Sequence, residues 1–373
     1  LLTIIADYIV PFILILSVLV FVHEYGHFWV ARRCGVFIET FSIGFGREVF
    51  GWHDRHGTRW RVALLPLGGY VRMRGDADEA SSPDAGKLAS MSEAERASAF
   101  PTQPVLNRMA IVAAGPAANI LFAVAVMAIT FMTIGQSYTP AVVGEVLEGS
   151  PAAEAGLQPG DRFLSLDSQG VQRFEDLQRI VSLHPEETMT AEIERDGQLL
   201  RIPLTPQRVE VPDSFGNPQA FGRIGVARTG YESVRHDPLT AVTEAVHQTW
   251  VLTGTIADVV WQIVSGARPA NEIGGVARIA HMSGEVTQIG IAAILHFMVL
   301  LSLNLALINL LPVPMLDGGH LLFFVIEALR GKPLPEGVRE MGTRIGLGMV
   351  IALMVFASWN DLVYFRVLEF LNI

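Results

Sequence analysis

The sequence has 373 residues, a formal net charge of −10, 50% hydrophobic residues and only 17% charged ones, where an ordinary soluble domain has about 25% charged. Mean hydropathy is +0.39, and the apolar residues are bunched. This excludes a disordered chain, and the acidic balance leaves no basic footprint for nucleic acid. The single cysteine, Cys34, excludes a disulfide framework and a cysteine-built zinc site. An integral membrane protein with room for one soluble domain remains.

In chain order, the first apolar stretch covers residues 9–22 and runs straight into His23 and Glu24. It lacks the basic n-region and small-residue cleavage site of a signal peptide, so it reads as a span. A second stretch lies between Arg108 and Glu145, a third between Glu285 and Asp317, and a fourth between Arg344 and Asp361. The fourth has only 16 uncharged residues, short of the roughly 20 that a crossing needs. Residues 31–108 carry 11 Lys and Arg, whereas residues 135–291 carry 11 Arg, no Lys and 20 Asp and Glu. Positive charge marks the cytoplasmic side. The N-terminus and residues 135–290 are therefore expected outside, and residues 31–105 inside.

Residues 140–206 read as soluble. Strand-like runs stand at 141–146 and 163–166, a short helix at 152–156, and a helix at 174–183 with Phe174, Leu177 and Ile180 at helical spacing. Residues 188–194 and 199–204 read as a hairpin about Asp196-Gly197. The string Gly149-Ser150-Pro151-Ala152-Ala153-Glu154-Ala155-Gly156-Leu157-Gln158-Pro159-Gly160-Asp161 resembles the signature of bacterial PDZ domains, which take up an extended peptide along a sheet edge. Residues 221–226 are expected to return as a strand, with Ile224, Gly225 and Val226 at the peptide-end loop. Farther on, Val242, Val246, Trp250, Ala257, Val260 and Val264 share one helical face that Glu244, His247 and Asp258 interrupt. That pattern predicts an amphipathic helix lying on the outer surface, not a fifth span.

The chemistry centres on His23-Glu24-Tyr25-Gly26-His27. Histidines four apart on a helix share one face and can bind one metal ion. Neutral imidazole suits zinc, and Glu24 lies close enough to take a proton from a water beside the metal. Ionisable groups in a spanning helix are costly and usually functional. A catalytic zinc takes a third protein ligand, for which Asp317 is the candidate, with His320 as the alternative. Asp317 follows Pro312 and Pro314, which break the helix at membrane depth, where irregular backbone must line protein or a wet cavity. Gly318-Gly319 allow close backbone approach. Asn309 can donate to a substrate carbonyl or a developing oxyanion, whereas Asn304 reads as an inter-helix hydrogen bond.

These motifs together resemble the site-2 protease family of intramembrane zinc proteases, most closely its bacterial branch that regulates sigma-E. The likeness rests on His23–His27, on residues 309–320 (Asn309-Leu310-Leu311-Pro312-Val313-Pro314-Met315-Leu316-Asp317-Gly318-Gly319-His320), and on the PDZ signature. Residues 41–46, 65–71 and 114–119 extend it nearly end to end. The resemblance implies one zinc per chain held by His23, His27 and Asp317, with Glu24 as base and Asn309 positioning substrate. It implies that residues 41–71, where Trp60, Val62 and Leu64 alternate with Arg61, Ala63 and Leu65, form a re-entrant β-hairpin beside the active site. Residues 115–119 read from their size alone as a close helix-packing patch. Members of that branch often carry tandem PDZ domains, and this chain shows one signature.

The expected architecture is a polytopic α-helical membrane protein with four transmembrane helices, a re-entrant β-hairpin region and one extracytoplasmic α+β PDZ domain. The segments are 1–31 (first span), 32–105 (cytoplasmic loop with hairpin), 106–135 (second span), 136–230 (periplasmic PDZ domain), 231–290 (amphipathic helix and linker), 291–330 (third span and Asp317 motif) and 331–373 (fourth span and tail). The implied activity is cleavage of the transmembrane segment of a single-pass protein of anti-sigma-factor type in a bacterial inner membrane. The partners are that substrate, the lipid bilayer and a peptide or protein at the PDZ domain, with no nucleic acid. A metal-handling transporter with the same ligands and an inactive PDZ adaptor are the alternatives.

Overall fold

The computed structural model describes residues 5–76, 85–171, 173–212, 218–230, 232–266 and 269–365. The chain divides into two compact units, Leu1–Ile129 with Val242–Ile373, and Thr130–Ala241. Among the described residues, four helices are long and apolar enough to cross a membrane: Ile5–Arg33, Val105–Thr133, Ile291–Leu310 and Gly337–Tyr364.

In the first unit, a π-helical turn Ile5–Ile9 leads into helix α1, Val10–Arg33. Pro11 sits where the π-helical turn passes into α1. Arg32 and Arg33 close the last turn, where cations favour the helix dipole. Strands β1 (Ile38–His53) and β2 (Arg59–Met73) follow. They form more than a simple hairpin. The run from Thr40 to Ile43 lies opposite Arg59 to Val62 on one side and Gly69 to Arg72 on the other, while Glu48 to His53 pairs back onto Arg59 to Ala63. The expected alternation fails accordingly: Ala63 is buried while Leu64 and Leu65 are both exposed.

The turn of this hairpin is tied to α1. The Asp54 carboxylate accepts from the Arg32 guanidinium (2.5 Å), the His56 and Thr58 amides (2.8 and 3.1 Å) and the Trp60 indole (3.3 Å). Burial acts to raise the Asp54 carboxyl, but these donors outweigh it and hold it well below the usual carboxylate range, at about 2. The Phe41 and Trp60 rings stack 4.3 Å apart, and Phe28 meets both edge-on.

Helix α2 runs Val105–Thr133. It crosses α1 where both are stripped of bulk: a Cβ on Gly26 would lie 2.3 Å from the Ala114 carbonyl oxygen. Within the second unit, β3 (Val143–Val146), the short helix α3 (Pro151–Glu154), β4 (Arg162–Leu166), α4 (Phe174–Leu183), β5 (Met189–Arg195) and β6 (Gln198–Leu204) come next. A four-stranded sheet runs in the order Gln169–Gly170, β4, β5, β6. Its core is Phe163, Leu166, Leu177, Ile180 and Ile193, each no more than 1% exposed. Asp196 and Gly197 turn the β5–β6 hairpin with φ of 50° and 76°, the left-handed pair that a two-residue turn requires. β7 (Gln207–Pro212) pairs with β8 (Pro218–Arg223), and β9 (Val226–Arg228) pairs with β3. The single return strand expected at 221–226 is therefore two strands, broken at Ile224-Gly225, where Gly225 takes φ +77°.

Helix α5, Pro238–Val264, has 27 residues but is not among the four apolar spans; Glu244, His247 and Asp258, together with its Gln and Thr residues, keep it too polar. Helices α6 (Val276–Ile289), α7 (Ile291–Leu310), α8 (Asp317–Arg330) and α9 (Glu336–Tyr364) complete the first unit. The fourth uncharged stretch grows from 16 residues to a helix of 29, because its charged flanks stay helical. Near the end of α9, the Asp361 carboxylate accepts from the Gly275, Ala277 and Arg278 amides (2.8–3.2 Å) and so caps α6. A buried ion pair fixes α8 on α2: the Arg108 guanidinium donates to both Glu327 oxygens at 3.2 and 2.6 Å and lies over the Phe324 ring.

Candidate metal centre

The α1 register places His23 and His27 on one face, each 8% exposed. The third group arrives from the far end of the chain. After α7, Pro312 and Pro314 prevent the helix from continuing, Met315 takes a left-handed φ of 99°, and Asp317 opens α8. A carboxylate at a helix N-terminus is favoured by the dipole. Two glycines permit this tight path, since a Cβ on Gly318 or Gly319 would lie 2.3 Å from the Leu310 or Val313 carbonyl oxygen. A third glycine comes from α9: a Cβ on Gly346 would fall 1.6 Å from the Pro314 carbonyl oxygen.

The three side chains converge. Asp317 Oδ2 lies 3.1 Å from His23 Nε2 and 3.4 Å from His27 Nε2, and the two Nε2 atoms are 3.2 Å apart. All three ligand atoms lie within 4.8 Å of one another. Asp317 Oδ2 is buried with no hydrogen-bond partner. The donor set fits a zinc ion, because two imidazoles and one carboxylate are the ligands such an ion takes when a further position stays open. His320 is not part of the group.

The surroundings orient the ligands. His27 Nδ1 donates to the Ile111 carbonyl at 2.9 Å, which leaves the Nε2 lone pair facing the cluster. His23 Nδ1 is 3.2 Å from Asn119 Nδ2. Gly115 lies hard against both imidazoles: its Cβ would be 2.2 Å from His27 Nε2 and 2.8 Å from His23 Cε1. Glu24, the next residue on α1, receives a hydrogen bond from the Val71 amide of β2. The Gly69 backbone passes close beside it, since a Cβ there would lie 3.2 Å from Glu24 Cγ. Asn309 Nδ2, in the last turn of α7, is 3.4 Å from His23 Nε2. Thus His23, Glu24, His27, Asn309 and Asp317 form one neighbourhood. Ile111, Gly115, Asn119 and Gly69 are not among the site residues expected from the sequence, where residues 65–71 and 114–119 enter only through the family resemblance and, for 115–119, as a packing patch.

The second unit holds a separate groove of about 500 Å³ between α4 and residues 221–226, lined by Phe174, Leu177, Val181, Phe221, Ile224 and Val226. The PDZ-like signature has a physical task here. The Ala152 amide donates to the Ile224 carbonyl and the Leu147 amide to the Gly225 carbonyl, both at 2.9 Å. A Cβ on Gly225 would lie 2.3 Å from Ser150 Cβ. Asp161, the last residue of the signature, takes two 2.6 Å bonds from Arg195. Burial raises the Asp161 carboxyl, but Arg195 and the Gln158 amide overcome it and hold it below the ordinary range.

Fold and ligand cluster together define a multi-pass membrane protein with a metallopeptidase-type centre. The chain belongs to peptidase family M50, whose sequence profile matches residues 11–353. It is similar to a protein of Agrobacterium fabrum named as a zinc metalloprotease, at 45% identity over 95% of each chain. A zinc metalloprotease by name in Rhizobium meliloti is 44% identical over 95% of this chain and 96% of its own. The metalloprotease MmpA of Caulobacter vibrioides is 37% identical over 98% and 97%. The enzyme class expected from the sequence, a zinc metalloprotease, follows from that membership. Among solved structures, the PDZ domain of an SdrC-like protein of Listeria monocytogenes covers 25% of this chain and 90% of its own, at 17% identity and a TM-score of 0.20.

Proposed function

We propose that the chain is an intramembrane zinc endopeptidase that cuts the transmembrane segment of single-pass proteins, as a step in regulated intramembrane proteolysis. The observation that carries this reading is the convergence of His23, His27 and Asp317 on helices at least 20 residues long or on the break that follows one. In this reading one zinc per chain is held by those three residues, and when bound it polarises the scissile carbonyl and acidifies a water. Glu24 takes the proton of the attacking water and hands it to the leaving amine. Asn309 Nδ2 donates to the scissile carbonyl, where negative charge develops. Strands β1 and β2 form the re-entrant element beside Glu24 and hold an unwound substrate segment by edge pairing, since helical peptide bonds are shielded.

The rest of the proposal follows the charge pattern and the resemblance. The protein sits in a bacterial inner membrane with the N-terminus and the PDZ domain in the periplasm and residues 31–105 in the cytoplasm. Helix α5 lies on the outer membrane surface. The groove at Ile224, Gly225 and Val226 receives a peptide end or filters substrates by the bulk of their outer part. The substrate is of anti-sigma-factor type, shortened outside by an earlier cut, in a sigma-E-like stress response.

The test is cleavage of a single-pass substrate by purified, detergent-solubilised protein, comparing wild type with Glu24→Gln and measuring metal in both. Loss of cleavage by a factor of about 10²–10⁴, with zinc kept in the variant, is expected. Zinc in both samples with unchanged cleavage would remove Glu24 from its role. Absence of metal from wild type would remove the centre.

A further inference from the structure

We infer that Asn119 is a positioning residue that holds His23 in its metal-ligating tautomer, through a hydrogen bond from His23 Nδ1–H to Asn119 Oδ1. The inference rests on the zinc reading of His23, His27 and Asp317. It concerns a residue whose segment, residues 115–119, otherwise reads as helix packing.

The two histidines differ in what stands behind them. His27 Nδ1 faces the Ile111 carbonyl, which can only accept, so its tautomer is set by the backbone. His23 Nδ1 faces a side-chain amide at 3.2 Å, which can donate from one end and accept at the other. Only one arrangement serves the centre. For His23 to offer the Nε2 lone pair to the space shared with Asp317 Oδ2, 3.1 Å away, Nδ1 must carry the proton and needs an acceptor.

That acceptor is at hand. Asn119 is 0% exposed and its Oδ1 is buried with no partner. The two ends of an amide differ by a half-turn, and their assignment follows from the hydrogen-bond network. One end of this amide lacks a partner in either orientation, so that cost cancels, and the His23 bond decides. A ligating imidazole commonly donates its other N–H to such an acceptor, and the bond fixes ring orientation and raises ligand basicity. Asn119 is itself held from the opposite side, because Ser302 Oγ of α7 donates to its backbone carbonyl at 2.9 Å. Asn119 therefore meets α1 through its side chain and α7 through its backbone, the helices carrying His23 and Asn309.

The experiment measures zinc affinity by chelator competition, and the visible spectrum of the cobalt form, on the full chain in detergent. Asn119→Leu removes the acceptor, Asn119→Asp keeps one, and Ser302→Ala loosens the same spot without touching the side chain. Asn119→Leu is expected to lose about 10–100-fold in zinc affinity with a shifted cobalt spectrum, while Asn119→Asp and Ser302→Ala stay near wild type. Thermal melts of the metal-free proteins separate this from misfolding: a loss of affinity at an unchanged metal-free melt supports the inference. Wild-type affinity in Asn119→Leu overturns it, as does an equal loss in Asn119→Asp and Asn119→Leu, which would mark a packing role. If wild type itself binds no zinc, the reading of the centre falls and takes this inference with it.

Discussion

The two units both bury apolar cores, but they differ in what they show to their surroundings and in what surrounds their functional sites. In the Thr130–Ala241 unit, the large apolar side chains of the sheet and of α4 form a closed core, although Leu183 and Leu199 remain exposed. Phe163, Leu166, Leu177 and Ile193 are at most 1% exposed, and alternation along β5 separates buried Met189, Ala191 and Ile193 from exposed Thr190 and Glu194. In the helical unit, large apolar side chains point outward, with Leu14, Leu121 and Trp250 62–79% exposed. Part of its interior is apolar, with Phe28, Phe41, Ile111 and Leu303 no more than 4% exposed, but around the ligand cluster it holds glycine, histidine, asparagine and serine. Water sorts residues by hydrophobicity, whereas lipid is as apolar as leucine and sorts them by size and hydrogen bonding. Hydrophobic pattern therefore locates the core of one unit, and small and polar residues locate the centre of the other.

The most severe test of this contrast is Gly115→Ala. One methyl group, placed 2.2 Å from His27 Nε2, is expected to abolish both metal retention and cleavage, which metal analysis and a substrate assay would read. A well-bound, active Gly115→Ala protein would mean that small residues do not set the centre. Next comes Gly346→Ala in α9, whose Cβ would press on the Pro314 carbonyl and displace Asp317. A misplacement of this kind costs about 10²-fold in rate, and we expect that loss in kcat with the PDZ groove unaffected.

Paired truncations sharpen the comparison at the level of stability. Leu177→Ala, inside the soluble core, is expected to cost about 2–5 kcal/mol in urea unfolding of its unit. Leu121→Ala, 69% exposed on α2, is expected to change stability by no more than about 0.5 kcal/mol, because its surroundings are apolar with or without it. Equal effects would erase the distinction.

The smallest effect is in pH. The Asp161 carboxyl is held below its unfolded value, so the unfolded state binds more protons in acid. Its stabilising share is complete above the ordinary carboxylate range and is lost as pH falls through the depressed folded value. Asp161→Asn should flatten the acid limb of the unfolding curve of the Thr130–Ala241 unit. A limb of unchanged slope would assign the acid sensitivity elsewhere.

The same physics decides what could be read from the sequence. The helix expected at 174–183 is the helix found, Phe174–Leu183, because water enforces its periodicity. Asp196-Gly197 turns where its residue types require. His23, His27 and Asp317 stand out because charged and metal-binding side chains are rare at membrane depth, and the structure brings them together. The doubled pairing of β1 with β2 was not legible, since alternation describes one neighbour and Thr40 to Ile43 has two. Nor was the break at Ile224-Gly225, which depends on a left-handed glycine packed against Ser150. Gly115 and the Ile111 carbonyl escaped for a plainer reason: a bare backbone placed against an imidazole leaves no mark in residue type beyond smallness.

His27 and Asp317 are 290 positions apart, and that separation has a consequence for how the protein is made. A ribosome that has delivered α1 has delivered His23, Glu24 and His27 but no cluster. Asp317 emerges only after the second unit, α5, α6 and α7 have followed. A nascent chain, or one truncated before α8, therefore lacks the His-His-Asp cluster, and the metalloprotease gains it only when its assembly is nearly complete.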